Sequence, residues 1–302
     1  MSGDFIALDW GTSSFRAYLV GADGSVRNKR ESAEGIMSVT DGGFEPVFER
    51  HVAGWDAALP VLASGMITSR QGWREVAYVP APAGLAELAA GVLRFRTESG
   101  RDVIFLPGVS YIADRGVPDV MRGEETQIVG ALTEPNGVFV TRGTHCKWVR
   151  VENGRIAQFS TFMTGEMFAV LKDHSILGRL MTGQPSAVSS FEKGVAAGLH
   201  GEQQGAGLLH SLFSVRTLAL FDRIAGNQLE SYLSGLLTGA EIASASKQFP
   251  AGADGVTVIG APALAAPFRG ALIIAGIASR PGPEDAAVRG LARIGRHIGA
   301  IA

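Results

Sequence analysis

The order of apolar and polar residues sets out the first elements. Residues 5–8 are uniformly apolar and read as a buried strand, and residues 15–20 as a second; Asp9-Trp-Gly-Thr-Ser-Ser14 joins them. Residues 25–40 continue as a polar-edged strand and loop. Behind Gly42-Gly43, the residues Phe44, Val47, Phe48, His51, Val52 and Trp55 fall at helical spacing, which predicts an amphipathic helix. Residues 60–66 are then a short buried strand ending in a glycine loop, and helix followed by strand suggests an α/β layer. The polar, aromatic stretch 67–74 is a candidate lid over a binding site or an ordinary surface connection. A helix over 85–93, a strand over 102–106 and a helix entered from Met121-Arg-Gly-Glu-Glu125 follow.

The turn residues Pro135-Asn-Gly137 mark a boundary between an N-terminal domain, 1–134, and a C-terminal domain, 135–302. Beyond it the opening pattern returns: a strand over 137–141, the turn Gly143-Thr144, a strand over 147–151, the turn Glu152-Asn-Gly154 and a strand over 155–159. The repeat lies in the pattern and not in residue identity. Helices are expected over 162–180, with an interruption near His174-Ser175, and over 189–199, 208–215 and 228–245. A strand over 255–261 breaks into a glycine turn, followed by a short helix over 262–268, a final strand over 271–275 and an amphipathic helix over 283–301.

A tight turn at residues 9–14 would aim backbone N–H groups and the hydroxyls of Thr12, Ser13 and Ser14 at one point, with the Asp9 carboxylate at the strand end. Such donors suit phosphate oxygens, and a carboxylate beside them suits a hydrated Mg²⁺. The reading is a nucleotide site of hairpin type; the P-loop pattern is absent from this turn. Gly143-Thr144 is the matching second clamp, and two such clamps would grip a nucleotide from both sides.

Composition narrows this further. At 302 residues the chain exceeds one ordinary core, so two domains are expected. Its net charge of −2 leaves no field for nucleic acid or an anionic membrane surface. Cys146 is the only cysteine, which excludes an intramolecular disulfide and a thiolate zinc cluster. Its neighbour His145 would point to the opposite face of a strand, against a nucleophilic pair. No apolar run approaches the ~20 residues of a membrane span. With no secretory signal read before Asp4, the expected location is the cytoplasm. The sequence does not fix the oligomeric state, and a homo-oligomer stays open.

Asp9-x-Gly-Thr-x-x-x-Arg16 resembles the first phosphate motif of the sugar kinase, Hsp70 and actin superfamily. Met121-Arg-Gly-Glu-Glu-Thr-Gln127, Gly143-Thr-His-Cys-Lys-Trp148, Met163-Thr-Gly-Glu166 and Leu233-Ser-Gly-Leu-Leu-x-Gly-Ala-Glu241 follow in order. Together they resemble the 2-dehydro-3-deoxygalactonokinase family over nearly the whole chain. The resemblance implies an α/β fold of two RNase H-like domains with an interdomain cleft. It also implies ATP and Mg²⁺ as cofactors, and a small sugar acid as substrate, phosphorylated at its 6-hydroxyl in galactonate catabolism.

The residues then take candidate roles. Asp9 would hold Mg²⁺ through water, with Gly11, Thr12 and Ser13 on the phosphates. Thr144 would offer its N–H and hydroxyl, and Lys147 either adds a point charge or is a solvated strand residue. Sugar kinases of the superfamily place a catalytic carboxylate, commonly Asp, where this chain has Glu124 and Glu125; Glu124 is favoured as base and Glu125 as a helix cap. Arg122 is the better fork for a substrate carboxylate, while Arg16 serves it or pairs with Asp9 or Glu124. Thr164 and Glu166 either meet sugar hydroxyls or cap a helix. Gly260-Ala261 resembles the adenosine motif, and Gly235 and Gly239 either help there or pack helices. A kinase of 2-keto-3-deoxygluconate or another sugar acid, a non-catalytic ATP-gated binding protein and a phosphatase of the same fold remain alternatives.

Overall fold

The computed structural model describes residues 3–113, 116–183 and 188–302. Contacts divide the chain into two compact units. The first takes in the chain up to Asn136, the segment Val151–Phe159 and the tail Asp285–Ala302; the second takes Gly137–Arg150 and Ser160–Glu284.

The first unit opens with β1 (Phe5–Trp10), β2 (Phe15–Val20), β3 (Val26–Ser32), α1 (Phe44–Val52) and β4 (Val61–Ser64). It goes on with β5 (Val79–Pro80), α2 (Leu85–Ala90), β6 (Leu93–Arg96), β7 (Asp102–Phe105), β8 (Val109–Ile112), β9 (Pro118–Met121) and α3 (Glu124–Ala131). Its main sheet has the order β3-β2-β1-β4-β7-β6. β1, β2 and β3 pair antiparallel, and β4 runs parallel to both β1 and β7. Covered on both faces, β1 and β4 carry the unbroken apolar runs that such central strands need. β6, β8 and β9 lie outside the expected elements. β6 is a short Leu-Arg-Phe-Arg edge strand whose apolar face is only Leu93 and Phe95, too brief a pattern to read, and β8 and β9 form a separate small sheet with β5.

A second main sheet is built from β10 (Gly137–Thr141), β11 (Cys146–Glu152), β12 (Arg155–Phe162), β13 (Val256–Ile259) and β14 (Ser279–Pro281), in the order β12-β11-β10-β13-β14. Apart from β6, both sheets therefore read third, second, first, fourth, fifth, with the first and fourth strands parallel. This is the RNase H-like arrangement, present twice. Between β12 and β13 lie α4 (Thr164–His174), α5 (Val188–Gln203), α6 (Gly207–Leu212), α7 (Ser214–Leu220) and α8 (Leu229–Gln248).

Two expectations are corrected at the C-terminal end. Residues 271–275 are not a strand: α9 runs from Pro262 to Ile274. Only Ala265, Phe268, Ala271 and Leu272 are buried there, a helical period, while Ile273 is 71% exposed. The last strand is instead β14. The final helix, α10 (Ala286–His297), packs in the first unit although the sequence reading places it in the C-terminal domain. Paired glycines hold it on α3: a Cβ on Gly130 would lie 1.9 Å from the Ala286 carbonyl oxygen, and one on Gly290 would lie 1.9 Å from that of Thr126. Arg293 then donates to the carbonyls of Val129 and Leu132, satisfying acceptors at the end of α3.

Candidate active site

In the first unit the β1–β2 turn is closed by the Gly11 N–H donating to the Ser14 carbonyl at 2.8 Å. A following segment ties the back of the turn. Ile36 N–H donates to Gly11 O at 3.0 Å, Met37 N–H to Thr12 O at 3.2 Å, and the Trp10 indole to Glu34 O at 2.8 Å. Gly35 allows this approach, since a Cβ there would sit 2.2 Å from Thr12 O. The carbonyls are thus spent on one side, and Thr12 and Ser13 stay exposed.

Asp9 stands in register with Arg16 on β2 and Ser64 on β4. Its carboxylate accepts from Arg16 at 3.2 Å, and Arg16 also reaches Glu31 at 3.5 Å. Burial pushes the Asp9 carboxyl above its ordinary value, and Arg16 opposes that shift. Two glycines with positive φ then bring α3 to this point. Gly65, at φ 94°, has room for no Cβ: one would lie 2.8 Å from Trp10 O and 3.3 Å from Asp9 Oδ1. Gly123, at φ 111°, would place a Cβ 3.2 Å from the Gly65 Cα. The Asp9–Gly65–Gly123 stack therefore sets the start of α3 beside the end of β1.

The two glutamates that open α3 part company. Glu124 is half-buried, and its carboxylate accepts the Arg122 N–H at 3.0 Å. Glu125 is 1% exposed and turned back on its own helix start, accepting from Gly123 N–H at 2.9 and 2.8 Å and from the Thr126 hydroxyl at 3.1 Å. Burial first, and the neighbouring Glu124 charge second, push the Glu125 carboxyl up to about 8.

Arg122 faces inward. Its two Nη atoms donate to Thr68 O and Oγ1 at 2.7 and 2.6 Å and to Val76 O at 2.9 Å, and the guanidinium stacks on Tyr78. The fork expected for a substrate carboxylate is occupied by the 68–78 segment. That segment is no free lid either. Trp73 is buried among Phe48, Phe95 and Phe105, and a Cβ on Gly72 would meet Ile67 O at 2.2 Å.

In the second unit, Gly143, Thr144 and His145 form an exposed turn between β10 and β11. Gly143 and Thr144 follow Thr141 at the spacing by which Gly11 and Thr12 follow Asp9. The start of α4 abuts the turn. Glu166 N–H donates to Thr144 O at 3.0 Å, His145 Nε2 meets Glu166 Oε2 at 2.5 Å, and a Cβ on Gly165 would lie 2.8 Å from the carbonyl oxygens of Gly143 and Thr144. Glu166 thus stands against the second turn, and Thr164 opens the same helix. Lys147 is buried, with Nζ donating to Thr161 at 2.7 Å, so it is not a solvated strand residue. Gly260, at φ 150°, passes against Arg142, whose N–H donates to Ile259 O at 2.8 Å, and Ala261 then starts α9.

Gly235 and Gly239 do not line this site. Cβ atoms on them would lie 2.0 and 2.2 Å from the carbonyl oxygens of Phe191 and Val195, inside the α5–α8 crossing. Their motif contributes another residue, Glu241, which sequence reasoning passed over together with Arg142. Glu241 is 4% exposed, accepts from Arg142 Nη1 at 3.0 and 2.9 Å and from the Trp148 indole at 3.0 Å. Arg142 also donates to Cys146 Sγ at 2.7 Å and stacks on Phe268. One guanidinium so ties the second turn to α8, β11 and α9. The signal available was a charged residue set directly before a Gly-Thr turn.

Among the described residues no group of three or more His, Cys, Asp or Glu could hold a metal ion by itself. The donor set fits a cation that keeps most of its water, as Mg²⁺ does with one carboxylate and substrate phosphates. No helix among the described residues is long and apolar enough to cross a membrane.

A family model described as 2-keto-3-deoxy-galactonokinase matches residues 9–294. A Rhizobium meliloti protein assigned as a 2-dehydro-3-deoxygalactonokinase is 38% identical over 98% of this chain and 98% of its own. The Escherichia coli 2-dehydro-3-deoxygalactonokinase is 31% identical over 89% of each chain. A crystal structure of a protein assigned to that activity from Sinorhizobium meliloti superposes with a TM-score of 0.88 at 38% identity, covering 97% of this chain and 99% of that one. Component A of the Acidaminococcus fermentans (R)-2-hydroxyglutaryl-CoA dehydratase, at 12% identity and a TM-score of 0.50, shares the fold alone.

Proposed function

The chain belongs to the 2-keto-3-deoxy-galactonokinase family, and on that premise we propose that it moves the γ-phosphoryl group of ATP to the 6-hydroxyl of 2-dehydro-3-deoxy-D-galactonate, in galactonate catabolism. The observation that carries the assignment of roles is the Asp9–Gly65–Gly123 stack, which sets Glu124 and the carboxylate end of β1 next to one another.

Glu124 is the base. Its carboxylate takes the proton of the acceptor hydroxyl as that oxygen bonds to the γ-phosphorus and the bond from phosphorus to the β–γ bridging oxygen breaks, releasing ADP. The group is half-buried, and the Arg122 N–H orients it. Glu125 is a positioning residue, holding the Gly123 N–H so that the first turn of α3 keeps its direction. Arg122 is likewise a positioning residue, fixing the 68–78 segment rather than gripping the substrate. Arg16, exposed beside Asp9, is then the guanidinium available to an acidic substrate.

Thr12 and Ser13 of the first turn, and Gly143 and Thr144 of the second, supply phosphate donors, with Gly260 and Ala261 next to the second turn. Asp9 would hold Mg²⁺ through water, and the ion would neutralise charge on the phosphates. The substrate is a small molecule.

The test is Glu124→Gln in a coupled ADP-release assay with 2-dehydro-3-deoxygalactonate. Loss of a positioned general base is expected to lower kcat by roughly 10²–10⁴-fold, with the KM for ATP held within a few-fold. Undiminished kcat in this variant would remove Glu124 from the role.

A further inference from the structure

The first turn takes its direction from residues outside its own motif. In a trans peptide the C=O and the following N–H point to opposite sides. The bonds from Ile36 N–H to Gly11 O and from Met37 N–H to Thr12 O therefore fix more than the two carbonyls. They turn the Thr12 and Ser13 N–H groups to the other side of the turn. Whatever holds residues 36 and 37 sets the aim of those two donors.

The side chain of Glu34 supplies that hold. Its Oε1 accepts from Arg50 Nη2 at 2.5 Å, and its Oε2 lies 2.7 Å from His51 Nε2. Arg50, and after it His51, keep the Glu34 carboxyl below its ordinary value. A carboxylate only accepts, so His51 is the donor of that bond. The Glu34 main chain is tied as well, its N–H donating to Ser32 Oγ at 3.2 Å and its C=O accepting from the Trp10 indole. The His51 ring also stacks on Phe15, with centroids 4.2 Å apart. Trp10 is the last residue of β1 and Phe15 the first of β2. α1 thus reaches both ends of the turn, one directly and one through Glu34.

The helix is a firm base for this. Phe44, Phe48 and Val52 bury one of its faces, and Glu49 accepts from Arg101 Nε with both oxygens at 3.1 Å. The Glu34 side chain, by contrast, is 41% exposed, and exposed ion pairs add little to stability. Its two side-chain partners are better accounted for by aim than by stability.

We propose that Glu34 is a positioning residue for the nucleotide phosphates: with Arg50 and His51 it fixes the segment behind the first turn, and so keeps the Thr12 and Ser13 N–H groups on the phosphate oxygens. The inference rests on the kinase reading above and goes beyond it by giving the direction of those donors to side chains outside every glycine motif.

Glu34→Ala removes the anchor, and Glu34→Gln keeps an acceptor for Arg50 in a side chain of the same size. His51→Phe keeps a ring against Phe15 but cannot donate. Each would be compared with wild type in the coupled ADP-release assay and by calorimetry with a non-hydrolysable ATP analogue and Mg²⁺, with thermal melts as the check on folding. The bonds to phosphate are misdirected and not deleted, so Glu34→Ala and His51→Phe are expected to raise the KM for ATP and the Kd of the analogue by roughly tenfold. The KM for the sugar acid should stay unchanged, and Glu34→Gln should recover most of the affinity. Wild-type KM and Kd in Glu34→Ala, in a protein that turns over ATP, would overturn the positioning role and leave the kinase reading standing. Equal rises in KM for ATP and for the sugar acid would overturn it too, because general loosening of the unit would then be the cause. Wild-type Kd in His51→Phe would overturn the part given to the histidine. A wild type that neither binds nor turns over ATP would overturn the kinase reading, and this inference with it.

Discussion

Arg142 links more of the second turn than any residue within it. It joins a Gly-Thr turn, a buried glutamate, a cysteine and a phenylalanine, and none of these bonds is visible in the sequence, where Arg142 and Glu241 stand 99 positions apart. The turns themselves were legible, because Gly-Thr after a short apolar strand is a local signal; the ion pair that supports the second turn was not, because it is made only by folding. Arg142→Met would strand the Glu241 carboxylate in the core, and removing one partner of a buried pair typically costs about 3–5 kcal/mol. A urea-midpoint loss in that range, with less loss in the double variant Arg142→Met/Glu241→Leu, is the expected outcome; equal losses in the two would deny the coupling. Glu125 supports a second prediction. Its carboxyl titrates near 8 in the folded chain against 4.5 for a free glutamate, so between those values the folded state holds a proton that the unfolded state has lost. Stability from this group is present below about pH 4.5 and falls as pH rises towards 8. Glu125→Gln, neutral throughout and still able to accept from Gly123, should flatten that fall and be the more stable protein at pH 8 by about 1–3 kcal/mol. Denaturant midpoints at pH 5, 6.5 and 8 decide it, and a parallel fall in both proteins would sink the assignment.

At the scale of elements, periodicity located most strands and helices but could not say what each one faces. The small residues of α8 read equally as a nucleotide lining or as a packing seam. They are a seam: Gly194 and Gly198 of α5 and Gly235 and Gly239 of α8 let the two backbones approach until no Cβ fits at any of the four positions. Residues 271–275 misread for a related reason, since a run of Leu and Ile without polar punctuation has no period to distinguish strand from helix. The strands β6, β8 and β9 went unread because short, half-exposed strands carry little pattern. Gly239→Ala tests the seam. The added methyl would lie 2.2 Å from Val195 O, a contact with backbone that cannot swing aside. Overpacking of this kind typically costs about 1–3 kcal/mol. A Tm lowered accordingly, with the KM for ATP unchanged in the folded fraction, is expected; an unaltered Tm with a raised KM would return Gly239 to the nucleotide.

Across the whole molecule the chain leaves and re-enters its first unit more than once, so the order of the sequence and the order of the fold disagree. The first unit is completed by two segments that follow it in sequence, Val151–Phe159 and Asp285–Ala302. The earlier segment pairs Ile156 with Ala83 through bonds of 3.0 and 2.7 Å and sets Phe159 against Tyr111. The later one brings α10, whose Leu291 and Ile294 are 1% and 0% exposed. A boundary near residue 135 is visible as Pro-Asn-Gly, whereas the return of α10 is not, because an amphipathic helix shows that it has a buried face without showing what covers it. The sequence boundary therefore does not delimit a folding unit. A fragment ending at Asn136 would expose the α3 surface around Thr126 and Gly130 and lose the Arg293 bonds to Val129 and Leu132. Such a fragment is expected to melt without a cooperative transition, and fusing residues 285–302 to its end through a flexible linker is expected to restore part of one. Circular dichroism melts of the two fragments, with the intact chain as reference, read this directly. A sharp transition in the shorter fragment would mean that the α3–α10 crossing is an accessory, and that the paired glycines Gly130 and Gly290 serve packing that the first unit does not need.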